Sequence, residues 1–486
     1  MRRRTPWSIA GSCVVALALA VSGGAGAAAP AVVVAPHVPA GDGGSSALAP
    51  LPPSGASASP AASLAAAAQR RGGRRGARNR PPRRGGRVRA AWPHRRSAQP
   101  PRARLARWLA RQTGPVAVAR RRRGGGVGRT RSPGNANPRA SAAQASQTLL
   151  LVRSFDIPRT DPAYATLTNF SWTYDNALAV FAFLSDGERD EAEQLLDQLK
   201  ALQRADGSLD FAYDVSNGAG AGRARAGAMA WVGLAAAAYK RLYGNARYDT
   251  LLGGVLDYVL GLRTSDGLVK GGTDVGWVST QHNLLTAGLL RDVVDQIGTG
   301  TKKLGSFSGS QLNAIQTTMG NAILSKLLVQ RGALASFRAG VGDDALPLDV
   351  QALGAMYLDL RGDGRDTQVA NYLLQGGFYV APRLMPDGRG PYSGYRPYAD
   401  AGSPNVIWTE GTFEAALALR RLGIVNVSAQ LAVTSLGLTS LNGSVGPIGA
   451  DRVSESRWGE FHTWPASAAA SWLLVLSSSR QMLYAQ

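Results

Sequence analysis

Across 486 residues there is one cysteine, Cys13, and there are only four histidines. A single cysteine excludes an intrachain disulfide framework and any cysteine-built metal site. Cys13 lies inside an apolar run, not after it where a lipid-attachment cysteine would stand. The first 145 residues contain no lysine and one acid, Asp42, against 26 arginines, a balance of +25. Of 54 basic and 32 acidic residues in all, 28 and 31 therefore remain beyond residue 145, a balance of −3. The net charge of +22 thus belongs wholly to the N-terminal third and says nothing about what the remainder binds. Also missing are a phosphate-binding loop, an H-E-x-x-H pair and an EF-hand loop, so neither a cofactor nor a metal is expected. "GAGAGRARAGA" is glycine-rich but follows no strand of a βαβ unit, and "GVGDDALPLD" lacks the D-x-D-D spacing of terpene cyclases.

The N-terminal third divides in two. "MRRRTPWSIAGSCVVALALAVSGGAGAAAP" has a basic start, an apolar run from Ile9 to Val21 and an A-x-A pattern at Ala25 to Ala27. That is the pattern of a secretory signal over residues 1–28, with an apolar run too short to span a bilayer, and it implies a secreted or periplasmic protein. Residues 29–145 are Ala, Pro, Gly and Arg with few large apolar groups, a composition that cannot offset its ordering entropy and reads as a disordered linker. Its arginines lack an interleaved set of base-reading aromatics, which together with export argues against nucleic acid. Contact with an anionic surface or glycan is the alternative.

From residue 146 to the end, long amphipathic runs alternate with Gly- and aromatic-rich loops. Runs that are Ala-rich and apolar all round begin near residues 174, 226, 280, 347, 408 and 465, and most are followed by a run charged on one face, such as "ERDEAEQLLDQLKALQR". Buried first members and surface second members predict an all-α (α/α)6 toroid, inner helices ringed by outer ones, in a monomer. No sixth outer helix follows the last inner one, and the Ala-rich stretch at 140–150 is the expected substitute. Connections within a pair are mostly short, as in "SDG" and "RGDG", whereas those between pairs are long, so the long loops share the face where the inner helices start.

Those starts carry the polar and aromatic residues: Trp172, Tyr174 and Asp175; Trp277, Gln281 and His282; Asp349; Trp408 and Glu410; His462 and Trp464. The loops add Asp210, Asp214 and Tyr395. Aromatic walls with several carboxylates suit a carbohydrate, because pyranose rings stack on indole faces while carboxylates bind hydroxyls and transfer protons. The plainer reading of Asp175, Asp349 and Glu410 is that they cap first helical turns.

The alternating helices with "WTYDNAL", "STQHN", "IWTEGTFEA" and "TWPASAAASWLL" resemble the six-hairpin glycosidase superfamily of secreted bacterial carbohydrate-active proteins. The resemblance implies an (α/α)6 barrel acting on a glycosidic bond by a pair of acids. Glycoside hydrolysis needs one carboxylic acid to protonate the leaving oxygen and a second carboxylate on the other face. Glu410 is the expected acid and Asp175 the expected base. Trp172, Tyr174, Asp210, Asp214, Trp277, His282, Asp349, Tyr395, Trp408 and Trp464 are the expected substrate contacts. Two rivals stay open: a polysaccharide lyase using His282 or a tyrosine as base with Arg338 or Arg396 on the uronate, and a non-catalytic toroid that holds glycan for export.

Overall fold

The computed structural model describes residues 101–116, 148–386, 388–400, 402–439, 446–456, 459–480 and 483–484. The expectations for the signal segment, and for the linker at 29–100 and 117–145, fall outside the described residues.

Six inner helices start within two residues of the expected positions: α2 (Thr173–Asp186), α4 (Ala226–Tyr243), α6 (Thr280–Ile297), α8 (Leu348–Arg361), α10 (Thr409–Arg421) and α12 (Ser467–Ser477). Their outer partners are α3 (Arg189–Leu202), α5 (Asp249–Gly261), α7 (Gly309–Lys326), α9 (Asp366–Gln375) and α11 (Val425–Thr439). Each inner helix packs on the next, and α12 packs back on α2, which closes the ring. In α2 every residue from Thr173 to Ser185 is buried, while α3 buries only Ala192, Leu195, Leu196 and Leu199. One is the signature of a helix enclosed on all sides, the other of a surface helix. Gly187 (φ 90°) and Gly244 (φ 67°) end α2 and α4 in the left-handed conformation that a side chain would resist.

A further helix, from the N-terminal side of the expected domain, packs on the barrel. Pro101–Arg111 is a helix, α1, and Leu105, Ala106, Trp108 and Leu109 are buried in the main core. The Arg102 guanidinium donates to the carbonyls of Ser477 (3.2 Å) and Ser185 (2.6 Å) and pairs with Asp186, at the C-terminal ends of α12 and α2. Residues 101–116 therefore pack with the barrel, whereas residues 140–147 of the stretch expected to supply the sixth outer helix fall outside the described residues.

A sixfold pattern of bonds fixes the inner-helix starts. A helix leaves its first amides without partners inside the helix. Here the first amide of each inner helix donates to the carbonyl of a neighbouring loop: Thr173 to Phe211, Ala226 to Gly271, Thr280 to Ala339, Leu348 to Pro397, Thr409 to Gly449, and Ser467 to Ser154. The distances run from 2.8 to 3.0 Å, and the last of them joins the end of the barrel to its beginning. One turn later a side chain takes the amide of the preceding loop: Asn176 from Val152 (2.8 Å), Asn283 from Val269 (2.8 Å), Gln351 from Phe337 (2.8 Å) and Thr412 from Tyr395 (3.0 Å). The Met229 sulfur faces the Leu209 amide in the same way at 3.3 Å. The Asn of "WTYDNAL" and of "STQHN" is thus a clamp that ties a loop to the helix, a local side chain to backbone bond of the kind these residues favour.

The between-pair loops carry short antiparallel ladders over the same face. They are the three-stranded sheet β1 (Phe170–Trp172), β2 (Ala212–Asp214) and β3 (Gly220–Ala221), and three hairpins, β6–β7 (Leu328–Arg331, Leu334–Phe337), β8–β9 (Tyr379–Arg383, Tyr392–Tyr395) and β10–β11 (Ser454–Ser456, Gly459–Phe461). A small hairpin, β4–β5 (Lys303–Leu304, Phe307–Ser308), lies in the α6 to α7 connection at the other end.

Candidate functional site

With the first residues of the inner helices spent on the loops, the second residues are Tyr174, Gly227, Gln281, Asp349, Glu410 and Ala468. Two side-chain bonds join four of them in pairs. Tyr174 donates its hydroxyl to Glu410 Oε1 at 2.6 Å, although 236 residues separate them, and Gln281 Nε2 donates to Asp349 Oδ2 at 2.7 Å. Trp472 Nε1 lies 2.9 Å from the same tyrosine oxygen. An indole N–H can only donate, so the Tyr174 oxygen accepts from Trp472 and its one proton is committed to Glu410 Oε1. Any proton carried by Glu410 then sits on Oε2.

The electrostatics favour such a proton. Glu410 is 6% exposed. Burial pushes its pKa up to about 8; the Tyr174 hydrogen bond opposes this, and the nearby carboxylates Asp175 and then Asp349 add to it. Glu414, one turn along α10, is buried too, and burial followed by repulsion from Asp349 and Glu410 holds it well above the carboxylate range. Its Oε1 has no hydrogen-bond partner among the described residues. Tyr398 is buried beside Asp349 and pushed upward by that burial first and the carboxylate second. His282 goes the other way: burial, then the Arg225 guanidinium, lowers its pKa to about 3, so the imidazole is neutral.

Of the expected substrate contacts, Tyr174, Asp349 and Glu410 come together in the ring, and Asp175, 1% exposed, lies close enough to repel Glu410. His282, the residue after Gln281, and Trp277 have their rings 5.2 Å apart. The others stand in packing or loop positions. Trp172, 5% exposed, packs edge-on against Phe155 and Phe170 at 5.4 and 5.5 Å. Trp408 is part of the main core, as is Tyr395. Trp464 stacks on His462 at 3.7 Å and donates to Asp161 at 2.9 Å. Asp210 pairs with Arg204 at 2.5 Å beneath Gly220, and Asp214 accepts from the amide and hydroxyl of Ser216 in the turn after β2. Aromatic bulk near a helix start was read as a stacking platform, whereas long loops folding back over the barrel bury most of it.

Two neighbours of this pair do not stand out in the sequence: Trp472, which donates to the Tyr174 oxygen, and Glu414, inside "EGTFEAALAL", which is repelled by Glu410. The spacing of Glu414 from Glu410, one helical turn within an otherwise apolar inner helix, was the available signal.

No family model matches the chain, and no curated protein does. Among solved structures, an α-amylase from Clostridium perfringens is similar with a TM-score of 0.53 and 7% identity, over 80% of this chain and all of that one. A glycosidase is similar at 0.49 and 11% over 67% of this chain and 90% of that one. A bacterial glucoamylase complexed with acarbose is similar at 0.46 and 14% over 63% of this chain, which spans 48% of that protein's length. Likeness at this identity speaks for the fold alone, and the closed ring of hairpins agrees with it: the chain is an (α/α)6 toroid.

Proposed function

We propose that the protein is an exported glycoside hydrolase with Glu410 as its general acid. One observation carries this reading: a buried carboxyl group that holds its proton near neutral pH, with Tyr174 fixed on one oxygen and the other left to deliver the proton. A proton donor of this kind is what cleavage of a glycosidic bond requires, and burial is the usual means of making a glutamic acid serve at neutral pH. Asp175 is the proposed base, because of the two carboxylates that raise Glu410 it exerts the stronger repulsion. A specific observation favours Asp349 as the alternative: it occupies the same helical position as Glu410, and the Gln281 amide holds it. The names of the similar structures, an α-amylase, a glycosidase and a glucoamylase, agree with carbohydrate as the substrate.

The lyase reading is weaker on these side chains. A neutral His282 of such low basicity is a poor base for a proton beside a uronate, and Arg338 is already paired with Asp344 at 3.2 Å. The test is incubation with a glycan panel, scoring new reducing ends against the absorbance of unsaturated uronides. Glu410→Gln is expected to lower turnover at least ~100-fold, the lower end for a general acid. Asp175→Asn and Asp349→Asn decide the base: the one that keeps near-normal turnover has only a structural role. Unsaturated products would replace this reading with the lyase, and retention of glycan without products would replace it with the binding toroid.

A further inference from the structure

We propose that Trp277 and His282 form a sugar subsite beside the acid that accepts an uncharged residue and disfavours a uronate, an inference that rests on the carbohydrate reading above. Trp277 is half-buried, so part of its indole remains accessible, while His282 is only 4% exposed. Among the described residues neither the indole Nε1–H nor the imidazole Nδ1 has a hydrogen-bond partner, although both atoms are buried. Such groups cost free energy when left unpaired and are rare without a reason. A pyranose hydroxyl, which both donates and accepts, satisfies either of them.

The two rings are held in place on both sides. A Cβ at Gly227 would lie 2.3 Å from His282 Cδ2, and one at Gly271 would lie 2.3 Å from the Trp277 six-membered ring. Only glycine lets the α4 start and the α5 to α6 loop come so close, so the positions of the rings are set by the chain around them. The subsite also adjoins the chemistry, since Gln281, next to His282, bonds the Asp349 carboxylate that acts on Glu410.

The choice of an uncharged ligand follows from the charges present. The imidazole is neutral and offers one donor and one acceptor. The cation that acts on His282, Arg225, is engaged by both oxygens of Asp274, at 2.7 and 3.3 Å, and by the Ala224 carbonyl at 3.2 Å. Among the described residues the cation that acts on His282 is thus already paired, which leaves little to repay the desolvation of a carboxylate.

The experiment is calorimetric titration of the full chain with cellohexaose, maltohexaose and hexagalacturonate. A neutral hexaose is expected to bind, with hexagalacturonate at least about tenfold weaker. Trp277→Ala is expected to weaken the neutral hexaose about tenfold, and Trp277→Phe, which keeps a ring and loses the N–H, roughly threefold. Should the alanine variant unfold, the phenylalanine variant decides. Binding of hexagalacturonate as tight as that of the neutral sugars, no binding of any of the three, or unchanged affinity in a folded Trp277 variant would overturn the proposal. Failure of the hydrolase reading shows separately, as an absence of new reducing ends from a protein that still prefers neutral sugars.

Discussion

Position Tyr174 separates what a sequence can show from what only the closed barrel can. A tyrosine and an acid at the threshold of an apolar helix are visible in "WTYDNAL", and so is the acid of "WTEGTFEA". That the tyrosine hydroxyl lands on Glu410 depends on the ring, which sets α2 and α10 on either side of α12. The bond has a consequence for pH. Donation from Tyr174 stabilises the anion, so it holds the Glu410 proton affinity lower than burial alone would set it. Tyr174→Phe should therefore move the alkaline limb of kcat/KM upward from about 8. A hydrogen bond to a charged group is worth about 1.5–3 kcal/mol, which makes the expected displacement roughly one to two pH units. A profile measured between pH 5 and 10 checks this, and an unmoved limb would remove Glu410 from the acid role or Tyr174 from control of it.

At the scale of the helix, the inner members were legible to within two residues, because helices such as α2, α4 and α12 are apolar on every side. The first outer helix was legible from its charge stripe. What composition concealed was α1: "PRARLARWLAR" lies in an arginine-rich stretch, and its apolar positions Leu105, Trp108 and Leu109 span a single helical face only 11 residues long. Against a background counted as linker, so short a pattern does not stand out, and its value comes from a partner groove formed by distant chain. Trp108 fills that groove so closely that a Cβ at Gly446 would lie 2.3 Å from its ring. Each large apolar side chain buried by α1 contributes about 1.5–3 kcal/mol. A chain beginning at residue 100 should accordingly melt as the full protein does. One beginning at residue 118 should melt at least ~5 °C lower. Thermal denaturation of the two truncations is the check, and equal melting temperatures would mean that α1 is not needed to close the ring.

Over the whole molecule, the barrel works as an enclosure of low polarity that holds acids neutral. Glu410 and Glu414 are both protonated in the fold at pH values where an unfolded chain ionises them. A folded-state pKa raised above the unfolded value of 4.5 means that the unfolded state sheds protons first as pH rises. Each acid therefore erodes stability by up to about 1.4 kcal/mol per pH unit, starting near the unfolded pKa and continuing until the folded pKa is passed. For Glu410 the erosion runs to about pH 8, and Glu414, also held well above the carboxylate range by burial, adds to it. Surface acids such as Asp266 and Asp363 are shifted the opposite way, lowered first by hydrogen bonds from Lys326 and Arg365 respectively, and they withdraw their support only as pH falls toward their low folded values. The melting temperature should therefore peak near pH 5 and decline toward pH 8. Glu414 is the clean probe of this, since no step of the proposed chemistry uses it. Glu414→Gln keeps the shape, removes the ionisation from the unfolded state, and should flatten the alkaline decline while changing little at pH 5. If the variant instead tracks the wild type at every pH, then Glu414 is ionised in the fold, and the barrel interior must be far better solvated than its burial indicates.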